Sequence, residues 1–312
     1  MAVRSITYAP TISADTNRGP SQSIWSSCPV SNFMEDPRNG TYFFDDFLVS
    51  GNQDYTSAYA GSLGQWSSYG SAGALITDGA LEGGVIGLNS NGDQESVTLQ
   101  SRAGAYRITT TSTLALNGKL WFEARVAFGT IATTKMDCFI GLCDKLTTSD
   151  LPVNTIPITT TDDTLSTTPN LIGFHKKSGA STEINFVYQL ASGTAVYPTN
   201  LTTLMATVTG AVLVAQSGQT GFVKLGFLFD PFAYTKQISS ASTGQTAGAL
   251  ARPLITIFVN GQPAPAFLTT TNVQGTAFPT GFMGPTLSCM QTATGANTMF
   301  VDWIRVSQQA NS

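Results

Sequence analysis

The sequence predicts an all-β protein: an antiparallel β-sandwich with an extended N-terminal arm. Short apolar runs separated by glycine, proline, serine and asparagine recur along most of the 312 residues, and this pattern is typical of strands and turns. Charged residues make up only 11% of the chain, and no segment shows the apolar stripe of an amphipathic helix. We therefore divide the chain into an arm, residues 1 to 40, and a single sandwich domain, residues 41 to 312.

The arm differs in composition from the rest of the chain, because isolated apolar residues are scattered among serine, threonine, asparagine and repeated prolines. A segment of this kind cannot close a core of its own. We predict that it becomes ordered by packing on its own sandwich or on a neighbouring subunit, with Ile24 and Trp25 as apolar anchors. A disordered tail is the alternative interpretation.

Residues 118 to 144 predict the central hairpin of the sandwich. In its first strand, apolar side chains occupy alternate positions, as expected when one face of a strand lies in a core. The apolar face consists of Leu120, Phe122, Ala124, Val126 and Phe128, and the other face of Lys119, Trp121, Glu123 and Arg125. Residues 138 to 143 are apolar on both faces, so we expect the second strand deep in the sheet, after a loop at residues 129 to 137.

Shorter apolar runs closed by glycine, asparagine or serine predict the remaining strands. They lie at residues 42 to 49, 80 to 88, 97 to 99, 106 to 108, 171 to 175, 184 to 190, 222 to 229, 254 to 259, 262 to 267 and 298 to 306. A run at residues 201 to 214 fits one strand or two, and Asn260-Gly261 is a strong signal for a tight hairpin turn. We interpret residues 51 to 70 as an exposed loop, 145 to 170 as a functional loop or an ordered flap, and 236 to 251 as a loop.

About a dozen short strands with long connections fit a double-sheet jelly roll. The segments YFFDDF, GKLWFEARV, FIGLCD and FVDWIRV, in this order, resemble the concanavalin A-like jelly roll of lectins, laminin-G domains and glucanases. The pairing of WFEARV with FIGLCD is similar to virion structural proteins of tailed double-stranded-DNA bacteriophages. This resemblance implies a capsid decoration or cement subunit, or a tail or fibre component that binds sugar.

Composition argues against several classes of protein. The net charge is −4 and the fifteen Lys and Arg residues are scattered, so we expect no direct nucleic-acid binding. No apolar run reaches the length of a signal peptide or a membrane span, so we expect synthesis in a cytosol and no membrane partner; the phage resemblance implies that this is the cytoplasm of a host bacterium. The four cysteines form no CxxC pair and are expected to be buried free thiols.

The sequence does not predict a catalytic or zinc site. His175 is the only histidine, and its alternation with the neighbouring apolar residues predicts that it faces solvent. A triad would also need an oriented acid and a nucleophile on a strained turn. A glycosidase needs two carboxylates that flank the scissile bond, whereas we expect Glu123 to pair with Arg125 and Asp302 to stand alone. We therefore expect no enzyme, no catalytic residue and no cofactor.

Two kinds of binding site remain to be considered. Oxygen ligands in a glycine-containing loop could bind a structural Ca²⁺, although their spacing departs from the EF-hand loop and an ordinary polar turn fits as well. These ligands are Asn89, Asn91, Asp93 and Glu95. Exposed aromatic residues could stack on a sugar, or instead fill the core or a subunit contact. These residues are Tyr55, Tyr59, Trp66 and Tyr69.

Low charge, an adhesive arm and long threonine-rich loops favour a subunit that makes broad contacts with copies of itself. Together with the resemblance, they predict a non-enzymatic phage virion protein on the capsid surface, which cements the head by binding the major capsid protein between capsomers. The resemblance also implies a homotrimer. The alternatives are a tail or fibre protein that binds a glycan or receptor and, more remotely, a glycoside hydrolase.

Overall fold

The structure is a computed structural model, and it describes most of the predicted sandwich together with the second half of the arm. The described residues are 18–48, 53–55, 59–63, 65–70, 73–78, 84–90, 96–102, 105–108, 118–128, 136–144, 158, 164–177, 184–201, 221–231, 254–291 and 297–310. All but the first residue of the predicted run at 201 to 214, and the whole predicted loop at 236 to 251, lie outside them.

Strands dominate the described residues, and the helices among them are short. In chain order the elements are α1 (Gln22–Trp25), α2 (Val30–Glu35), β1 (Gly40–Asp45), β2 (Gln53–Tyr55), β3 (Tyr59–Leu63), β4 (Trp66–Gly70), β5 (Gly73–Asp78), β6 (Val85–Ser90), β7 (Ser96–Ser101), β8 (Leu120–Phe128), β9 (Met136–Asp144), β10 (Leu171–Lys176), β11 (Ile184–Gln189), β12 (Val196–Asn200), β13 (Val223–Phe229), β14 (Ile255–Val259), β15 (Gln262–Leu268), α3 (Thr270–Val273), β16 (Met283–Gln291) and β17 (Asn297–Gln309).

These strands form two antiparallel sheets. Sheet A has the order β15-β14-β13-β8-β17-β6-β5-β2, with β1 also paired to β17. Sheet B has the order β12-β11-β10-β9-β16-β7-β4-β3. The predicted antiparallel β-sandwich is therefore confirmed. The prediction that residues 118 to 144 form a hairpin is wrong, because β8 and β9 lie in different sheets and do not pair with each other.

The main core lies between the two sheets. The alternate apolar residues of β8, from Leu120 to Phe128, face the interior as predicted, and Cys138, Ile140 and Leu142 of β9 face them from sheet B. Phe122 and Phe227 stack with ring centroids 4.9 Å apart. Burying one such aromatic side chain contributes roughly 1.5–3 kcal/mol, so this layer stabilises the sandwich.

The chain also covers part of the outer face of each sheet with its own segments. Ile24, Trp25 and Phe33 of the arm pack on the outer face of sheet A. Ile158 and Leu165, from the predicted insertion at 145 to 170, pair with each other and pack on the outer face of sheet B. Each sheet is thus partly buried on both of its faces.

Several elements differ from the sequence predictions. The segment predicted as an exposed loop, residues 51 to 70, contains β2, β3 and β4. Sequence analysis missed β5, β12 and β16 entirely. The arm is not extended throughout, because α1 and α2 interrupt it. Only an isolated bridge from Tyr106 to Met283 occurs at the predicted strand 106 to 108.

A β-bulge in β17 rearranges the side chains near the end of the chain. Val301 pairs with Val126 and Trp303 pairs with Arg125, so Asp302 is the extra residue between two regular pairs. A bulge redirects side chains because it interrupts the strict alternation of a strand. Asp302 and Trp303 therefore both contact groups on the outer face of sheet A, whereas Val301 before them and Ile304 after them face the core.

Candidate functional site

The most elaborate side-chain arrangement among the described residues is the contact between the arm and sheet A. We call this surface of sheet A the arm-binding face. It is formed by Trp121, Glu123 and Arg125 of β8, Lys224 of β13, Phe258 of β14, and Asp302 and Trp303 of β17. It therefore spans the central strands of the sheet.

The apolar part of this contact surrounds α1. Ile24 is fully buried and Trp25 is 7% exposed, and both pack with Trp121 and Phe258. Gly226 allows this close approach, because a Cβ atom at that position would lie only 2.6 Å from Ile24 Cδ1. The two residues predicted as anchors of the arm therefore lie against the chain's own sheet.

An ionic group centred on Asp302 binds Arg18, the first described residue of the arm, to sheet A. The guanidinium groups of Arg18 and Arg125 both donate to the Asp302 carboxylate, at 2.7 Å and 2.5 Å. The Asp302 side chain is fully buried, whereas that of Arg18 is 38% exposed. The indole Nε1 of Trp303 donates to the backbone oxygen of Arg18 at 2.6 Å. Asp302 therefore joins the arm to β8 and β17.

Glu123 forms the second polar attachment of the arm. Its Oε2 accepts hydrogen bonds from the backbone N–H of Ser21 at 2.9 Å and from Trp25 Nε1 at 2.7 Å. Burial raises the pKa of Glu123, and the Ser21 hydrogen bonds, the charge of Lys224 and the Trp25 hydrogen bond oppose that rise. Lys224 itself donates to the backbone oxygen of Gly19 at 3.0 Å.

Two sequence predictions about these acids are wrong. Arg125 forms its ion pair with Asp302, and Glu123 binds the arm. Asp302 does not stand alone, because it lies on the outer face of sheet A with Phe300 and Trp303 and binds Arg125. Alternation along β17 could not reveal this, since a strand without a bulge would place Asp302 on the same side as Ile304, which lies in the core.

The sequence prediction for His175 is also wrong. The side chain does not face solvent, because it is fully buried on the outer face of sheet B. Its Nε2 lies 2.5 Å from Asp137 Oδ1, and its Nδ1 lies 2.9 Å from Tyr197 Oη. Alternation along β10 predicted an exposed side chain, but β12 and the segment around Leu165 cover this side of the sheet.

The predicted sugar-stacking residues do not form one exposed platform. Trp66 is 2% exposed, packs against Phe43 and Phe47, and donates its Nε1 to Asp45, so it is a core residue. Tyr69 is half-buried against the outer apolar cluster of sheet B. Tyr55 and Tyr59 lie in β2 and β3, and their side chains are outside the described part of the structure.

The predicted calcium ligands lie mostly outside the described residues. Asn89 is near the end of β6 and accepts a hydrogen bond from Thr298 at 3.3 Å, while Asn91, Asp93 and Glu95 are not described. The described residues contain no group of three or more His, Cys, Asp or Glu side chains placed to bind a metal ion.

The cysteines are all free. Three are buried, and Cys28 is half-buried, where desolvation raises its pKa to about 11. Cys138 and Cys289 are directly opposite each other on β9 and β16, with their sulfur atoms 3.6 Å apart. Spacing along the sequence could not reveal this pair, because the two strands are far apart in the chain.

Comparison with known proteins gives structural likenesses only. No protein-family model and no curated protein sequence matches the chain. Similar solved structures include a β-glucanase of Bacillus licheniformis, with a TM-score of 0.44, 11% identity, and coverage of 88% of this chain and 99% of that one. Peanut lectin has a TM-score of 0.42 and 10% identity over 84% of this chain and 99% of the lectin.

A third similar structure is a protein of unknown function from Shewanella oneidensis MR-1, with a TM-score of 0.44 and 10% identity over 87% of each chain. Lectins and glucanases are two of the classes that the strand order of this sequence resembles. At these TM-scores the likenesses assign neither a family nor an activity. Of the helices that the structure describes, none combines the length and apolar character needed to cross a membrane.

Proposed function

We propose that the chain is a non-enzymatic structural subunit of a bacteriophage virion, which decorates the capsid and attaches to it through the N-terminal arm. The observation that supports this proposal best is the way the arm is fastened. Buried aromatic residues and two buried carboxylates bind residues 18 to 33 to the middle of sheet A. A segment that attaches the subunit to a capsid must itself be bound firmly to the sandwich domain, because otherwise a load on the segment would detach it from that domain.

The position of this fastening supports the same role. Asp302 lies on β17 and binds Arg125 of β8, and these two neighbouring strands form the centre of sheet A. A pull on residues 1 to 17 would therefore act on central strands and not on a loose edge. The capsid protein is the proposed partner of those residues, and the function requires no cofactor.

Deletion of residues 1 to 17 tests the proposal, because it leaves Arg18 and every described contact of the arm intact. We expect the truncated protein to keep its melting temperature and to lose binding to expanded empty shells of its phage. Co-sedimentation with shells measures binding, and shell melting measures cementing. Shell binding at full strength by the truncated protein would contradict the proposal.

We propose a homotrimer for the assembled subunit, as the phage resemblance implies. Analytical ultracentrifugation of the full chain tests this part separately. A trimer mass supports it, and a monomer at all accessible concentrations would contradict it without affecting the arm experiment.

A second candidate function, glycan binding at a tail or fibre, is favoured by one observation. Tyr69 and Tyr197 are both half-buried on the outer face of sheet B. Partly exposed tyrosine rings are suitable platforms for sugars. Glycan-array binding that is lost in a Tyr69→Ala variant would support this function, and binding of the truncated protein to host cells but not to shells would favour it over decoration.

A further inference from the structure

Three titratable side chains on sheet B form a chain of hydrogen bonds that the decoration role does not use. His175 bridges Asp137 and Tyr197 through its two ring nitrogens, at 2.5 Å and 2.9 Å. Asp137 and His175 are fully buried, whereas Tyr197 is half-buried on β12, the edge strand of the sheet. The chain of hydrogen bonds thus runs from a buried acid to a half-buried tyrosine on an edge strand.

The chemistry of the three groups fixes the direction of these hydrogen bonds. An ionised carboxylate only accepts hydrogen bonds, so Asp137 places the proton of a neutral imidazole on Nε2. Nδ1 is then an acceptor, and the Tyr197 hydroxyl donates to it. An acid that orients a histidine, which in turn accepts the proton of a hydroxyl group, is the arrangement that activates nucleophiles in covalent catalysis.

The surroundings of Tyr197 hold its ring in place. The Lys177 ammonium nitrogen lies 4.1 Å from the centroid of the Tyr197 ring, in a cation–π contact. The ring also packs against the apolar cluster that contains Phe139, Leu171 and Val187, which restricts its motion. A fixed ring keeps the hydroxyl within reach of His175.

We propose that Tyr197 is an activated nucleophile that accepts an acyl group from an ester. In this step the Tyr197 oxygen forms a bond to the carbonyl carbon while its proton passes to His175 Nδ1. The bond between the carbonyl carbon and the alcohol oxygen then breaks, and the departing alcohol takes the proton from His175. The products are an acyl-tyrosine and a free alcohol, and no external oxidant, reductant or metal takes part.

The test uses the full chain and p-nitrophenyl acetate as the probe. We expect release of about one equivalent of p-nitrophenol per chain in a first turnover, with peptide mass spectrometry placing the acetyl group on Tyr197. Tyr69 is the internal control, because it is also half-buried against the same apolar cluster. Acetylation of Tyr197 no faster than that of Tyr69 would overturn the proposal.

Two substitutions then test whether His175 activates the Tyr197 hydroxyl or whether Tyr197 reacts only because the probe can reach it. Tyr197→Phe should abolish the acetylation at this position, and His175→Gln should slow the acetylation of Tyr197 about a hundredfold, the usual contribution of a general base. The melting temperature of each variant shows whether the fold persists. If His175→Gln folds and reacts at the wild-type rate, the proposal is wrong; if it does not fold, the comparison of Tyr197 with Tyr69 in the unaltered protein decides the question.

Discussion

Asp302 is the residue on which the attachment of the arm depends most. It is fully buried, and the guanidinium groups of Arg18 and Arg125 neutralise it from two directions. Desolvation lowers the pKa of Arg125, and the charge and hydrogen bond of Asp302 oppose that change. A buried ion pair of this kind contributes little net stability when complete, but removing one partner leaves the other buried without compensation.

Replacing Asp302 with Asn should therefore lower the free energy of unfolding by about 3–5 kcal/mol. Urea denaturation measures this change. Asp230→Asn is the matched control, because Asp230 pairs with Lys119 and both side chains are about one quarter exposed. The control should lose at most about 1 kcal/mol. Equal losses in the two variants would contradict the central role of Asp302.

Glu123 predicts a dependence of stability on pH. Burial raises its pKa in the folded chain above the ordinary value of 4.5, so the folded state binds a proton more tightly than the unfolded state. Its stabilising contribution is complete below the unfolded pKa and is lost as the pH rises through the folded pKa. The stability advantage of the wild type over Glu123→Gln should therefore fall as the pH rises.

Urea unfolding of the wild type and Glu123→Gln at a series of pH values measures this difference. The glutamine keeps an oxygen that can accept the hydrogen bonds from Ser21 and Trp25, so the comparison isolates the titration. A difference that stays constant from about pH 3 to pH 8 would contradict the assignment.

At the scale of elements, α1 should dock on sheet A as a unit. Ile24 is the fully buried residue of α1 that packs on the sheet. The substitution Ile24→Asp places a charge in this apolar contact and should therefore release the helix from the sheet. Limited proteolysis followed by mass spectrometry should then show cleavage between residues 18 and 29, while the strands stay protected.

Met34→Asp is the control for this experiment, because Met34 is on the same arm but is 67% exposed. It should be cleaved as slowly as the wild type. If Ile24→Asp is equally resistant, the apolar contact of α1 is not what keeps the arm in place.

Sequence analysis found β8 and missed β16, and the two strands differ in how apolar and polar residues alternate along them. β8 has one face in the core and the other under the arm, and its strict alternation revealed it. β16 is buried along its whole length, contains Ser288 and Thr286 on its outer side, and carries Pro285, so it showed neither alternation nor the usual strand composition. The proline is tolerated because the pairing with β7 begins only at Thr286.

The site was predicted less well than the fold, because its side chains come together from separate parts of the chain. Ile24 and Trp25 could be selected as anchors because they are apolar residues in a polar segment. The partners of Asp302 and His175 come from distant parts of the chain, and Asp302 also depends on a bulge. Neither spacing nor alternation in a single sequence contains that information.

At the scale of the whole molecule, the pairing order places late strands in the middle of both sheets. β16 lies between β9 and β7 in sheet B, and β17 lies between β8 and β6 in sheet A. Removing these two strands would leave each sheet as two separate halves with unpaired edges. The N-terminal arm depends on the same region, because Arg18 binds Asp302 and Trp303 of β17.

This order has a consequence for biosynthesis. A ribosome makes β16 and β17 after the other described strands, so the growing polypeptide carries half-sheets whose backbone edges are not yet paired. Those edges are able to join the edges of neighbouring nascent chains on the same messenger RNA. Slow translation or high expression would prolong that interval, so we expect chaperones to be needed most before β16 and β17 have emerged from the ribosome.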